Sequence, residues 1–199
     1  MNIRNPYFDE AIPYLRCLNI GVSLKLDFNL LLGMAVKARD RLTKKYAWAI
    51  PNSNALQAIA DWVGDKGRII EIGAGTGYWG WLLSQLGVRI TCYDNHPYSN
   101  QWCDGTKWFD VLVGSYEKLI DEVEEVVLFL CWPPYEDRLV TDCLDAFKGR
   151  RLIYVGENNA CTGWDSRLNP GGCWARVKII EIPQYHGIHD CVMFFEKKG

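Results

Sequence analysis

The 199-residue sequence lacks three features that would narrow its function at once: a strong net charge, a long apolar run and a paired-cysteine motif. The 22 lysines and arginines nearly balance the 24 aspartates and glutamates, which leaves a formal charge of −2. This balance argues against a protein that binds nucleic acid mainly by electrostatic attraction, although a local patch could still contact it. The one conspicuous basic run is typical of a solvated helix face and comprises Lys37, Arg39, Arg41, Lys44 and Lys45.

The longest apolar run covers residues 126–132, far short of the roughly 20 residues that a membrane-spanning helix needs. We therefore expect no membrane partner. The eight cysteines include no Cys-x-x-Cys pair and no signal peptide is recognisable, which together predict reduced thiols in a cytoplasmic protein. The nearest approach to a metal-ligand pattern, formed by His186, His189 and Cys191, alternates like the residues of a strand, so no metal site is predicted.

Two helices are predicted in the first third of the chain. Apolar residues recur at helical spacing after Asp27 and again after Pro51, where Asn54 and Gln57 stand at the spacing of a capping box. Residues 1–26 show little periodicity. We interpret residues 1–66 as an N-terminal helical segment.

From residue 67 onward, short apolar runs alternate with helical patterns, which is typical of a doubly wound α/β fold. The last two strands follow one another without an intervening helix and predict an antiparallel pair. Residues 67–199 are therefore expected to form a mostly parallel core within a single domain of residues 1–199. The predicted strands are 68–72, 88–93, 108–113, 126–131, 151–155, 174–182 and 190–197, and the predicted helices are 78–86, closed by Gly87, 116–123 and 137–147.

A glycine-rich segment, residues 71–77, links the first strand of this core to its helix. Glycines let a ligand lie against the backbone, and the helix start offers unpaired N–H groups. Asp94 ends the next strand at the spacing where an acid meets the ribose hydroxyls of a nucleoside cofactor. Bulky Tyr78 and Trp79 begin the helix where a dinucleotide loop would lead to a further glycine, so a phosphate-free cofactor with an ammonium group is favoured.

The loop and Asp94 together resemble the first two cofactor motifs of the class I S-adenosylmethionine-dependent methyltransferases. The resemblance follows the strand–helix order of residues 68–197 and is specific only at 71–94 and 130–135. It implies a seven-stranded Rossmann-like sheet with one antiparallel strand and S-adenosylmethionine across the carboxyl ends of the strands. In that family the glycines lie along the methionine moiety of the cofactor. The acidic residue before them organises the loop, and the acidic residue of the second motif binds the ribose. The implied cofactor residues are Glu71, Gly73, Ala74, Gly75, Gly77, Asp94, Ser115 and Cys131.

The segment Trp132-Pro133-Pro134-Tyr135 follows the most apolar strand and resembles the Asp/Asn-Pro-Pro-Tyr segment of amino-methyltransferases. In that family the first residue and a proline carbonyl accept hydrogen bonds from the target amine, and the aromatic ring stacks on a planar target. Trp132 departs from the pattern, because an indole donates one hydrogen bond and accepts none. Three alternatives stay open: carbonyls alone hold the amine, the acceptor is another nucleophile, or a carboxylate comes from elsewhere.

Two further residues are candidate general bases. Glu157 follows the fifth strand, and His189 lies between the last two strands. An aromatic segment at 46–52 is predicted either to cover the cofactor or to pack in the core. The candidate catalytic residues are Trp132, Pro133, Tyr135, Glu157 and His189.

These patterns predict an S-adenosylmethionine-dependent methyltransferase that acts on a nitrogen or oxygen of a small molecule, a nucleotide or an exposed base. The acceptor is planar or aromatic if Tyr135 stacks on it. Two alternatives remain. A non-catalytic S-adenosylmethionine-binding module is favoured mildly by Trp132, and an NAD-dependent oxidoreductase is disfavoured by the residues that begin the helix after the glycines.

Overall fold

A seven-stranded sheet with helices on both faces forms the framework of the protein in the computed structural model, which describes residues 3–23, 27–120, 125–135, 137–158 and 160–199. The strands lie in the order β3-β2-β1-β4-β5-β7-β6. They comprise β1 Arg68–Ile72, β2 Arg89–Asp94, β3 Val111–Val113, β4 Val126–Cys131, β5 Arg151–Gly156, β6 Trp174–Glu181 and β7 Cys191–Lys197. The helices are α1 Pro6–Ser23, α2 Phe28–Lys45, α3 Ser53–Val63, α4 Tyr78–Ser84 and α5 Leu139–Ala146, with 3-10 turns at Tyr116–Leu119 and Ser166–Leu168.

The strand directions confirm the predicted Rossmann-like α/β class. Strands β1 to β5 pair with one another only in parallel, whereas β7 is antiparallel to both β5 and β6. One reversed strand, β7, therefore lies between β5 and the edge strand β6, in agreement with the one antiparallel strand that the family resemblance implied.

Alternate residues of the central strands pack on opposite faces of the sheet, as the two-residue period of a strand requires. On one face, Ile69 and Val127 are buried in a core completed by residues of α1, α2, α3 and α4. On the other face, Ile70 and Leu128 pack against α5 and the 3-10 turns. No helix within the described ranges has the length and apolar content to cross a bilayer.

Helix α1 occupies a stretch whose sequence shows little periodicity. Tyr7 and Ala11 are fully buried. The Tyr7 ring stacks on Tyr46 with centroids 4.9 Å apart, and its hydroxyl lies 3.2 Å from that of Tyr185. A few long-range aromatic contacts hold this helix, so a repeating apolar stripe is not needed to anchor it.

Three local predictions differ from the structure. The cap of α3 is Asn52, whose Oδ1 accepts a 2.8 Å hydrogen bond from the Ala55 N–H, so the capping box assigned to Asn54 and Gln57 does not form. Strand β3 begins only at Val111, because Trp108 leaves the strand and stacks on Tyr46 at 5.1 Å. Of the predicted helix 116–123, the structure describes a 3-10 turn at Tyr116–Leu119, and residues 121–124 lie outside the described part.

Gly77 is the N-cap residue of α4, and its backbone lies in the left-handed region, with φ at 75° and ψ at 19°. A Cβ atom at this position would stand 2.9 Å from the Phe109 Cβ and 3.0 Å from a Val111 methyl group. Gly87 has a similar φ of 78°, but a Cβ there would meet nothing within 4 Å. Gly77 is thus required both by its backbone conformation and by close packing, whereas Gly87 is required by conformation alone.

We expect Gly77→Ala to lower the free energy of unfolding by about 3 kcal/mol, because left-handed strain of about 1–2 kcal/mol adds to an overpacking cost of about 1–3 kcal/mol. Gly87→Ala, the matched control, should cost only about 1 kcal/mol from strain. Urea unfolding of the two variants measures the difference. Equal losses would contradict the packing role of Gly77.

Candidate active site

A cavity of about 1030 Å³ opens at the carboxyl ends of β1, β2 and β4. Strand β1 pairs with β2 on one side and β4 on the other, so the loops that follow these strands diverge and leave a crevice. Ten predicted site residues line this cavity, and they are Glu71, Gly73, Ala74, Gly75, Asp94, Ser115, Cys131, Trp132, Pro133 and Tyr135.

Asp94 ties the glycine loop to the end of β2. Its Oδ2 accepts a 2.9 Å hydrogen bond from the Gly75 N–H, and its Oδ1 accepts one of 2.8 Å from the His96 N–H. The Gly73 and Ala74 N–H groups donate to the Tyr93 carbonyl at 2.8 and 3.0 Å. A carboxylate can accept about four hydrogen bonds, so Asp94 keeps acceptor capacity toward the cavity that it lines.

Glu71 lies at the floor of the cavity beneath α4, and its side chain is buried. Its Oε2 accepts a 3.2 Å hydrogen bond from the Cys92 thiol. Burial raises the pKa of Glu71 to about 8, and the negative charge of Asp94 acts in the same direction. The carboxyl is therefore mostly protonated at neutral pH until a cationic group approaches it.

The segment that follows α2 crosses the mouth of the cavity. Side chains from other parts of the chain donate hydrogen bonds to the backbone carbonyls where this segment begins. The Thr76 hydroxyl donates to the Tyr46 carbonyl, and the Trp108 indole donates to the Lys45 carbonyl at 2.8 Å. Tyr46 is buried in the core, whereas Trp48 is only partly buried and lines the cavity. Core packing therefore applies to Tyr46, whereas Trp48 lies at the cavity, and covering of a cofactor by Trp48 stays a prediction.

Trp132 forms a fixed wall of the cavity. Its backbone has a φ of 51°, unusual for a residue other than glycine, and its N–H donates to the Val155 carbonyl at 2.8 Å. The indole Nε1 donates to Asp190 Oδ1 at 2.8 Å, and the ring stacks on Trp48 with centroids 4.7 Å apart. Trp102 completes the wall by meeting Trp48 edge-on at 5.6 Å. The one donor of the Trp132 indole is thus already used.

The proline carbonyls are only partly available to a substrate. Pro133 O accepts a 2.9 Å hydrogen bond from the Gly163 N–H. A Cβ at residue 163 would lie 2.6 Å from Pro134 O, so this loop closes tightly over the segment. Tyr135 is 63% exposed and lines the rim of the cavity. The amine-holding arrangement of the family segment is therefore weakened at two positions here.

Glu157 and His189 do not line the cavity within the described part of the chain, and neither does Gly77. The buried Glu157 carboxylate accepts hydrogen bonds from the N–H groups of His189, at 2.7 Å, and Cys161, at 2.9 Å. Burial alone would raise the pKa of Glu157, but these hydrogen bonds outweigh it and hold the pKa below its ordinary value. The His189 side chain is 81% exposed. Glu157 therefore joins two loops and His189 faces outward, so neither predicted base lies in this cavity.

The structure adds residues that sequence patterns did not single out. Trp102, His96, Asp137 and Asp142 line the cavity. Asp137 could have been predicted as a site residue, because it lies only two residues after Tyr135 in the sequence. Trp102 carries no such signal, because it lies in an irregular loop and reaches the cavity only through tertiary packing.

No protein-family model matches the chain, and no curated protein matches it in sequence. Solved structures with a similar fold include two that cover most of this chain. The 1,6-didemethyltoxoflavin-N1-methyltransferase of Burkholderia thailandensis is 16% identical, with a TM-score of 0.53 over 86% of this chain and 88% of that chain. A glutamate-to-glutamine mutant of MtNAS is 15% identical, with a TM-score of 0.52 over 97% and 70% of the two chains. At such identities the likeness establishes the fold alone.

We expect the stability of the protein to fall as the pH rises from about 4.5 to about 8, because the folded state holds the Glu71 proton that the unfolded chain releases near 4.5. Glu71→Gln should remove most of this loss and raise the melting temperature at pH 8 more than at pH 5. The control is Glu196→Gln, a substitution of an exposed glutamate, which should leave the dependence of stability on pH unchanged. An unchanged profile in Glu71→Gln would refute the buried protonated carboxyl.

We expect Trp132→Phe to lower the free energy of unfolding by about 1–3 kcal/mol, because it leaves the buried Asp190 without its donor. Burial raises the pKa of Asp190 to about 7, against the lowering effect of the Trp132 hydrogen bond. The loss should therefore be larger at pH 8, where the lone carboxylate is charged, than at pH 5. Adding Asp190→Asn should abolish this pH dependence. Chemical denaturation at the two pH values tests both statements, and equal losses would count against the assigned bond.

Proposed function

We propose that the chain is an S-adenosylmethionine-dependent methyltransferase that transfers the sulfonium methyl group to a nitrogen or oxygen of a planar small molecule. The observation that carries this proposal is the single cavity lined by the glycine loop, Asp94 and the Trp-Pro-Pro-Tyr segment. A donor site and an acceptor site then share one space, as direct transfer between two bound ligands requires.

The donor half of the cavity fits the cofactor group by group. Gly73, Ala74 and Gly75 present backbone without bulky side chains, and Asp94 retains acceptor capacity for ribose hydroxyls. Glu71 lies where it would accept from the ammonium group, and Ser115 lies beyond β3 for the adenine end. S-adenosylmethionine, when bound, supplies an already activated methyl group. The toxoflavin methyltransferase was solved with S-adenosylhomocysteine bound, which supports the same cofactor here by analogy of fold.

The acceptor half is suited to a flat molecule. Trp48, Trp102 and Trp132 form one aromatic wall, and Tyr135 lies at the rim. The cavity volume lies at the upper limit of the roughly 300–1,000 Å³ usual for ligand pockets, so it has room for two ligands. Rate acceleration would come from proximity, in-line alignment and exclusion of water.

Calorimetric titration with S-adenosylhomocysteine, S-adenosylmethionine and NAD tests the donor site. We expect the first two to bind and NAD not to bind. Asp94→Ala should weaken S-adenosylhomocysteine binding at least tenfold, a loss of about 1.4 kcal/mol, because the ribose loses its acceptor and the loop loses its tie. Asp65→Ala, in an exposed turn, is the matched control and should bind as the unmodified protein does.

Binding of NAD without S-adenosylmethionine would eliminate the proposal in favour of the oxidoreductase. Binding of S-adenosylmethionine without formation of S-adenosylhomocysteine, across a panel of planar amines and phenols, would favour the non-catalytic module. The exclusion of Glu157 and His189 from the cavity makes that second outcome worth measuring.

A further inference from the structure

The ionisable side chains that line the cavity are mainly acidic. Glu71, Asp94, Asp137 and Asp142 are among the described lining residues, whereas no lysine or arginine is. Arg138, which pairs with Asp142 at 3.2 Å, lies outside the lining. The one lining imidazole, His96, belongs to the loop directly after β2, where Asp94 also lies. A phosphate or carboxylate on the acceptor would enter this space without a cationic partner, which is unfavourable in a partly desolvated site.

The aromatic wall favours the opposite sign. The faces of indole rings carry negative electrostatic potential and attract cations, most strongly where water is excluded. Trp48 and Trp132 are only partly exposed, and Asp190 behind Trp132 holds that ring in place. A delocalised positive charge on a flat ligand would therefore be stabilised along this wall.

Among the described residues near the acceptor half, no carboxylate is both free and well placed to remove a proton. Glu157 and His189 lie outside the cavity, and Asp190 is engaged by Trp132. Asp142 pairs with Arg138 at 3.2 Å, and Asp137 accepts a 2.9 Å hydrogen bond from the Leu139 N–H. Aspartate carboxylates are in any case weak bases at neutral pH. A hydroxyl group must lose its proton on methylation, so its methylation would lack a general base among these carboxylates.

We propose that the methyl acceptor is the neutral ring nitrogen of a planar heteroaromatic molecule and that the methylated product is a cation. This inference rests on the proposed function. The nitrogen lone pair forms the new N–CH3 bond while the S–CH3 bond breaks, and the electron pair of that bond stays on sulfur. The sulfonium becomes a neutral thioether, the positive charge moves to the ring, and no proton is released.

The cavity suits this charge movement at each stage. The transfer leaves the net charge unchanged, and the positive charge of the sulfonium passes from the donor half toward the aromatic wall. Carboxylates and indole faces that are already oriented would stabilise that charge without rearrangement during the reaction. The same features disfavour a nucleotide carrying a phosphate, which narrows the range of acceptors that the sequence left open.

Binding to the protein saturated with S-adenosylhomocysteine tests the charge preference. The probes are N-methylisoquinolinium and 2-naphthoate, two flat bicyclic molecules of similar size and opposite charge. We expect the cation to bind at least tenfold more tightly in calorimetric titrations. The double variant Asp137→Asn/Asp142→Asn should reduce this ratio to less than threefold, whereas the control Asp61→Asn/Asp65→Asn, remote from the cavity, should preserve it. Equal or reversed affinities would overturn the inference.

Turnover with S-adenosylmethionine tests the acceptor atom. We expect isoquinoline to be N-methylated at least tenfold faster than 2-naphthol is O-methylated, without proton release in a weakly buffered assay. Faster methylation of 2-naphthol would overturn the inference. If neither probe is methylated, the relative affinities of N-methylisoquinolinium and 2-naphthoate decide whether the inference stands. Failure to bind S-adenosylhomocysteine would instead remove the proposed function itself, so the two failures are distinguishable.

Discussion

The site depends on the position of β1, which is hydrogen-bonded in parallel to β2 on one edge and to β4 on the other. Ile72 pairs with both Tyr93 and Leu130, so the residues that follow on the three strands emerge at one level. The glycine loop, Asp94 and Cys131 are brought together by this register and not by their sequence spacing. Because the chain turns away to opposite faces after β1 and β4, the space between the loops stays open.

A buried cluster of aromatic rings fixes the cover of that space. Tyr46 stacks on Tyr7 and on Trp108, and Tyr78 packs edge-on against Tyr46. Such pairs contribute about 0.5–1.5 kcal/mol each beyond the area that they bury. The cluster joins α1, the end of α2 and α4, and it thereby places Trp48 over the cavity. The abundance of aromatic residues therefore serves both the core and the site.

The most consequential departure from the resembling family lies at Trp132. A residue that accepts hydrogen bonds there would face the substrate, whereas the indole gives its single hydrogen bond to Asp190 and presents a ring face instead. The site consequently changes from a polar clamp for an amine to a flat apolar wall with carboxylates nearby. This exchange of an acceptor for a ring face underlies the proposed preference for a flat, neutral or cationic ligand.

Periodicity and turn residues were sufficient to predict the α/β class, most strand positions and the loop that precedes α4, because these are set by short-range backbone and burial preferences. Ten predicted site residues line one cavity for the same reason, since each ends a parallel strand or follows one. Helix α1, the Trp48–Trp132 stack and the hydrogen bond to Asp190 depend on contacts between residues far apart in the chain, which a single sequence does not encode as a pattern. Glu157 and His189 show the limit most clearly. The sequence placed Glu157 after the fifth strand and His189 between the last two strands, but only the tertiary structure decided that the His189 N–H donates to Glu157 outside the cavity.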